Sequence, residues 1–552
     1  IIMKFARSRL RLILLHLIRM NYTYDVVVVG SGMGGLTTAC YTAKAGHRVV
    51  ILEKQKQPGG LFGSFTSGEY VFDHGARAVE NSGIMFPMFK QLGLNLDFVK
   101  SPVHIRTQDH WVPITSDVEL DDYEAFLGKL FPNDKEAIHN ICLDVISISK
   151  QMRVLYGIDN PLFVENAFTD MKYLSKVLLP WFFKFIFTIP RTQRFFTPVV
   201  QHLQKFTQNQ QLVDFISQHF IEETPAIFAM SYFSLYTDYN YPKGGTGKVV
   251  EEMVRYFKDH HGTLKLDQEV IHIDSDQKTV LTKHGETYHY KKLVWAGSTT
   301  RLHQLTTTTD AKTLTKQKTA LALTSKGKGA DSVMTLFMKV KDPERKLAKQ
   351  AGMHTFYTPY LDGLSGHPLS LIKEGSNFVS SKKKIMDWVQ EWYRRNTFEI
   401  SVPVLRDDTL APKDESGFIV SILLDYSLTK YIADQGWYVD LVELTKQSFV
   451  DILDETWLKG LKKNTYEMLP ASPLTMEKFA AVHQGSLSGW SFANRPMLSE
   501  YYFTRVNKSV ITPYQDIYQA GQWAFAPAGL PTCALTGKIA SDRIVKELKT
   551  KK

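Results

Sequence analysis

Cysteine is almost missing from this chain. There are three in 552 residues, Cys40, Cys142 and Cys533, odd in number and far apart. That excludes a disulfide framework and fits a reducing compartment. Zinc-ligand spacings are missing as well. His260-His261 reads as an exposed helix end, so no metal is expected. Long uninterrupted apolar runs are also lacking. Leu10 to Ile18 is too short to cross a bilayer and is broken by Arg11 and His16. No small-residue cleavage site follows it, which argues against a signal peptide. The sequence begins without methionine, and Met20 lies just before the first strand. Residues 1–19 therefore read as a mis-called start, with a basic interfacial helix as the alternative.

What is present is length, aromatic content and positive charge. A chain of this size exceeds one hydrophobic core, so two or more domains are expected. The formal charge of +10 favours an anionic surface. Without a recognition helix or a base-stacking motif, nucleic acid is not an expected partner, and lipid headgroups are the better match.

The most informative stretch is Tyr24 to Glu53. Val26 to Val29 is a β-branched run suited to a strand buried on both faces. Gly30-Ser31-Gly32-Met33-Gly34-Gly35 follows, then a proline-free helical segment over 33–45, then Gly46 at its C-terminus. Arg48 to Leu52 is a second buried strand, closed by Glu53. Gly30 permits the tight turn, Gly32 leaves room for a pyrophosphate, and Gly35 lets helix and strand approach. The helix N-terminus offers free N–H groups to phosphate. Glu53 stands where a carboxylate can accept ribose hydroxyls.

Further landmarks follow in order. Pro58-Gly59-Gly60-Leu61 precedes Phe72-Asp73-His74-Gly75-Ala76-Arg77. Together with the glycine fingerprint and the acid, these resemble the phytoene desaturase, carotenoid isomerase and retinol saturase branch of the FAD-dependent amine oxidase superfamily. Leu61 stands where that family often has arginine, so a charged clamp is not expected there. Tyr241-Pro-Lys-Gly244-Gly245 resembles the family's return into the cofactor domain, before an amphipathic helix with Val249, Val250, Met253, Val254 and Phe257 on one stripe. Gly262 to Ile273 reads as strand, bend, strand, and the resemblance sets the Val270 backbone against adenine. Lys292 to Gly297 resembles the family strand that ends near the cofactor. Asp516 to Trp523, then Gly529-Leu-Pro531 and a helix through Gly537, resemble the C-terminal cofactor motif, with Gln522 where many relatives carry aspartate.

The resemblance implies an α/β fold: a Rossmann-like FAD-binding domain with an inserted α+β substrate domain of antiparallel sheet plus helices. The expected division is FAD-binding over 20–105, 241–310 and 501–552, and substrate or cap domain over 106–240 and 311–500. FAD is the implied cofactor, held by Gly30, Gly32, Met33, Gly34, Gly35, Glu53, Lys54, Gly60, Leu61, Val270, Gly521, Gln522 and Pro531. No catalytic acid or base is assigned; Asp73, His74 and Arg77 read as structural. In the inserted region, Trp111 to Leu120 suggests a strand pair leading into helices, and strands are expected at Ser332 to Val340, Phe398 to Leu405 and Phe418 to Leu424. Val177 to Phe196 is dense in aromatics and flanked by Lys172, Lys176, Arg191 and Arg194. Pro180, Lys184 and Pro190 break it too often for a membrane span, so it reads as a segment at the headgroup boundary, the alternative being a buried cap over a substrate tunnel.

The implied activity is hydride transfer between flavin and a lipophilic polyene or isoprenoid, as desaturase, isomerase or saturase, in a cytoplasmic protein peripherally bound to membrane. Two other readings stay open. One is an amine oxidase-like enzyme on a soluble substrate; the other is a non-enzymatic prenyl-binding escort on the same fold.

Overall fold

The computed structural model describes residues 21–117 and 119–550. The expectation for residues 1–19 therefore lies outside the described residues. Two compact units share the chain. The first takes the residues up to Gly60, Val250–Gly327, and those from Leu498 onward; the second takes Leu61–Val249 and Lys328–Met497.

The first unit is built on an eight-stranded sheet. Its strands are β1 (Asn21–Val29), β2 (Val49–Leu52), β3 (Thr263–Lys265), β4 (Val270–Asp274), β5 (Thr279–Thr282), β6 (Thr287–Trp295), β7 (Thr306–Thr307) and β8 (Ile517–Gln519). The order is β7-β4-β5-β6-β1-β2-β3, with β8 also on β6. Strands β3, β2, β1, β6 and β8 run parallel. Beyond β1, the opposite edge of β6 is shared. Its first residues pair antiparallel with β5, and Leu293 to Trp295 pair parallel with β8. The parallel centre explains the sequence pattern: Val26 to Val28 and Val50 to Ile51 are buried, as strands covered on both faces must be. Helix α1 (Met33–Lys44) carries the chain from β1 to β2, and Gly46, left-handed at φ 85°, ends it. Helix α2 (Gly247–Asp259) buries Val249, Val250, Met253 and Phe257 of its apolar stripe. Helix α3 (Leu530–Lys549) closes the chain.

The second unit has a seven-stranded sheet. Its order is Thr465–Ala471, Ser332–Lys341, Glu415–Leu424, Phe398–Ser401, His354–Tyr357, Val103–Thr107 and His110–Ile114. All neighbours are antiparallel except His354–Tyr357 and Val103–Thr107, which are parallel. The strand expected to reach Leu405 stops at Ser401. Pro403 has no N–H to give the ladder and opens a short 3₁₀ turn instead. Where a strand pair leading into helices is expected around Trp111 to Leu120, the structure has a hairpin of Val103–Thr107 with His110–Ile114, followed by helix Asp121–Leu130. Helices Lys382–Arg395 and Tyr438–Thr456 pack on the sheet through Tyr393 and Phe449, whose rings meet edge to face 5.2 Å apart.

The compact units divide the chain differently from the expected domains. Residues 61–105 go with the second unit because the hairpin Phe62–Ser67 and Tyr70–Gly75 inserts Tyr70 and Phe72 into that unit's core, against Phe337. Residues 311–327 go with the first. Helix Ala311–Lys326 is tied there by Gln317 donating to the His303 carbonyl at 2.8 Å.

Candidate cofactor site

The first unit's phosphate cradle begins where β1 ends. Gly30 turns the chain at φ 96°, and its N–H reaches the Leu52 carbonyl at 2.9 Å. The other glycines of the loop region do different jobs. A Cβ on Gly35 would stand 2.0 Å from the Gly30 carbonyl oxygen, so only glycine lets α1 leave this turn. A Cβ on Gly34 would stand 2.6 Å from the Gly521 nitrogen. Gly60, left-handed at φ 63°, lies flat against Gly32, and the Gly59 N–H donates to the Ser31 carbonyl at 3.0 Å. Gly32 alone faces open space: a Cβ there would meet nothing within 4 Å. It is also the N-cap of α1, with no side-chain cap bond. An uncapped helix N-terminus facing open space is what a pyrophosphate requires. The residues present fit the cofactor on this ground.

Glu53 is placed with care. Its carboxylate accepts from the Ser31 N–H at 2.8 Å, the Ser31 hydroxyl at 2.6 Å and the Gln55 N–H at 2.8 Å. Its backbone is fixed too, the N–H on Lys265 and the carbonyl under Gln268. Three acceptor positions are thus spent on shaping the glycine loop, which leaves about one of a carboxylate's four for a ribose hydroxyl. Lys54 pairs with Glu269 at 3.5 Å, and the Met33 side chain is buried. Val270 opens β4 just before a register shift in its pairing with β5.

The C-terminal motif joins this cradle within the same unit. Gly521 is left-handed at φ 92°, and its N–H donates to the Thr536 hydroxyl at 3.0 Å. Gln522 is half-buried beside it, and Pro531 is buried in the first turn of α3. Sequence reasoning missed two features here. One is the crossing of α1 and α3, where a Cβ on Gly537 would come 2.4 Å from the Gly34 carbonyl. Thr38 bridges the two helices by donating to the Gly34 carbonyl and, at 3.1 Å, to that of Gly537. The other is a buried ion cluster: Lys292, 2% exposed, pairs with Asp516 at 2.6 Å and with Glu547. It clamps β6, the lead-in to β8 and α3 together. Nothing in the spacing of these residues signals either contact.

In the second unit, Asp73 accepts four hydrogen bonds, from Tyr241, Ser64, and the Thr246 N–H and hydroxyl, at 2.6 to 3.0 Å. It therefore holds the Tyr241-Pro-Lys-Gly-Gly turn, and its acceptors are filled. Burial holds His74 below the usual imidazole range, and Leu61 is half-buried there. Among the described residues no group of His, Cys, Asp and Glu could hold a metal, and the three cysteines are unpaired.

Comparison with known proteins places the chain in a family. The family model for flavin containing amine oxidoreductase matches residues 33–381. The inactive all-trans-retinol 13,14-reductase of Danio rerio is 26% identical over 272 residues, 45% of this chain and 41% of that relative. The chain thus spans about two-fifths of the length of the first curated relatives it matches. The chloroplastic prolycopene isomerase of Daucus carota is 20% identical over 95% of this chain and 80% of its own. Among solved structures, an oxidoreductase from Methanosarcina mazei matches with a TM-score of 0.59 at 12% identity, over 96% of this chain and all of its own. With the family model spanning more than half of its length, this chain belongs to the flavin containing amine oxidoreductases, in the branch of phytoene desaturases, carotenoid isomerases and retinol saturases, and its cofactor is FAD.

Proposed function

We propose that this FAD-dependent oxidoreductase acts on a lipophilic polyene or isoprenoid of carotenoid or retinoid type, as a desaturase, isomerase or saturase, while lying on a membrane surface. Bound FAD supplies the hydride acceptor or donor for such chemistry. The chain's own residues supply position and charge. Gly32 and the N-terminus of α1 receive the pyrophosphate, Glu53 takes a ribose hydroxyl, and the Gly521 turn with Gln522 and the start of α3 attends the flavin end. Gly34, Gly60, Met33, Lys54, Leu61, Val270 and Pro531 complete the set proposed to line or support the cofactor.

The observation that carries the substrate class is the helix Leu179–Thr192. Leu179, Phe182, Phe183, Ile186 and Phe187 recur at helical spacing on one face, and that face is exposed, Phe187 by 67%. The other face holds the helix to the protein: the Trp181 indole donates to the Val154 carbonyl at 2.6 Å. Lys172, Lys176, Lys184, Arg191 and Arg194 are exposed around it. An aromatic face outward with cations at its rim suits the headgroup–acyl boundary, where a polyene is dissolved. Among the described residues no helix is long and apolar enough to cross a membrane. The relatives named above point to the same substrates.

The test is expression in cells supplied with phytoene or retinol, followed by chromatography of extracted lipids. A product with lengthened, shortened or re-configured conjugation is expected and gives the direction of hydride flow. An unchanged lipid profile from flavin-loaded protein, with peroxide released from amines instead, would overturn the reading in favour of an amine oxidase.

A further inference from the structure

The second unit holds a polar cluster that neither the cofactor site nor the fold explains. Glu399 sits on strand Phe398–Ser401 between the buried Phe398 and Ile400, and its side chain keeps 34% of its surface accessible. Burial alone would raise its pKa. The Arg77 guanidinium at 3.5 Å and His354 at 3.1 Å outweigh that and hold it at about 2, so it is ionised. Tyr232, Phe356 and His219 share its situation, partly accessible in the interior. Their rings form one aromatic wall with Tyr236, Tyr239 and His354. Tyr236 meets Phe356 at 5.3 Å, Tyr232 meets Tyr236 at 5.8 Å, and His219 meets Phe356 at 5.3 Å.

Two members of this wall are unsatisfied. The Tyr236 hydroxyl is buried, the residue only 2% exposed, and has no hydrogen-bond partner. His354 is 1% exposed, and neither ring nitrogen has an in-line partner; its Nε2 stands near Glu399 but off the line of a bond. Tyr236 feels the Glu399 charge, which adds to burial and to the neighbouring Tyr232 phenol in raising its pKa. A donor without an acceptor, and a carboxylate with free surface whose charge reaches it, are costly unless something polar enters. A hydrocarbon satisfies neither group. A second carboxylate would be repelled by Glu399. A hydroxyl satisfies both, donating to the carboxylate and accepting from the phenol.

We infer that Glu399 and Tyr236, with His354, form a subsite for the hydroxyl group of an otherwise apolar polyene or isoprenoid alcohol. This rests on the lipophilic-substrate reading above and narrows it. Sites that hydrogen-bond a substrate hydroxyl reject the analogue lacking it far more strongly than an apolar pocket rejects an extra methylene.

The experiment is equilibrium binding in detergent micelles to the flavin-loaded protein. The probes are all-trans-retinol and the hydrocarbon of the same polyene length with the hydroxyl removed. Wild type is expected to hold the alcohol at least about tenfold more tightly. Tyr236→Phe keeps the ring and removes the donor. It is expected to weaken the alcohol about fivefold or more while leaving the hydrocarbon unchanged or tighter. Glu399→Gln is expected to shift the preference the same way. Equal affinity for both probes in wild type means that the cluster holds water alone, and overturns this inference while the lipophilic reading stands. Equal loss of both probes in Tyr236→Phe assigns the phenol a structural role and overturns it too. Binding of neither probe overturns the lipophilic reading and this inference with it.

Discussion

Substituting Gly32 and Gly35 separately tests the cofactor cradle, because the structure gives the two glycines opposite reasons to lack a side chain. In Gly35→Ala the new Cβ would lie 2.0 Å from the Gly30 carbonyl oxygen and 3.2 Å from the Ala296 Cβ. Both neighbours sit on buried central strands or their ends and have nowhere to move, so the variant should lose about 3 kcal/mol of stability or more. In Gly32→Val nothing of the protein lies within 4 Å of the new Cβ, and the backbone at φ −67° tolerates a side chain. The stability cost should stay under about 1 kcal/mol, the size of an N-cap change. What the valine does displace is phosphate. Losing about two charge-assisted bonds from the helix N-terminus, at about 1.5–3 kcal/mol each, should weaken flavin binding by about 10² to 10⁴. The assay pairs the flavin-to-protein ratio, read from visible absorbance, with the melting temperature of the apoprotein. Gly32→Val should be colourless yet melt like the wild-type apoprotein, and Gly35→Ala should melt early whether or not flavin is added. A yellow Gly32→Val, or an apo Gly35→Ala as stable as wild type, would refute the reasoning.

Three further outcomes are expected. Replacing Phe183 and Phe187 by serine removes two half-exposed rings from the outward helix face. At about half of 1.5–3 kcal/mol each, vesicle co-sedimentation should fall about ten- to a hundredfold with the melting temperature unchanged, and unchanged sedimentation would count against membrane docking. Glu80 is raised to about 7, chiefly by burial and further by Asp238. Between pH 4.5 and about 7 the folded protein keeps a proton that the unfolded chain releases, so this group lowers stability as pH rises, by up to about 3 kcal/mol. Glu80→Gln should therefore raise the melting temperature at pH 8 and leave it unchanged at pH 4; equal shifts at both would disprove the titration. Lys292→Met leaves Asp516 with Lys278 alone and the partly exposed Glu547 with the Tyr518 hydroxyl, and denaturant unfolding should show a loss of about 1–3 kcal/mol.

The local elements proposed to hold the cofactor were legible in the sequence because each is written over neighbouring residues. A β-branched run, glycines at fixed offsets and a closing acid specify strand, turn and helix over 24–53 by short-range sterics alone. The outward amphipathic helix was half legible: its composition set it apart, but whether its aromatic face looks inward or outward depends on what packs behind it. The bond from Trp181 to Val154, on a helix 27 residues earlier, decides that.

Long-range pairings were beyond reading. Gly537 lies 503 positions from Gly34, yet it lacks a side chain because the Gly34 carbonyl stands there, and Gly34 lacks one because of Gly521. Lys292 reads as a strand's surface lysine until Asp516 and Glu547 arrive beside it. Tyr236 and Glu399 carry no signal of their own, since a tyrosine on a helix and a glutamate on a strand are ordinary residues. Sequence by itself determined the strand, glycine turn and helix over 24–53, because that unit is made within one crossover. Only the tertiary structure decided which polar groups are buried without partners, because satisfaction of a hydrogen bond is a property of the space around an atom and not of the residue that carries it.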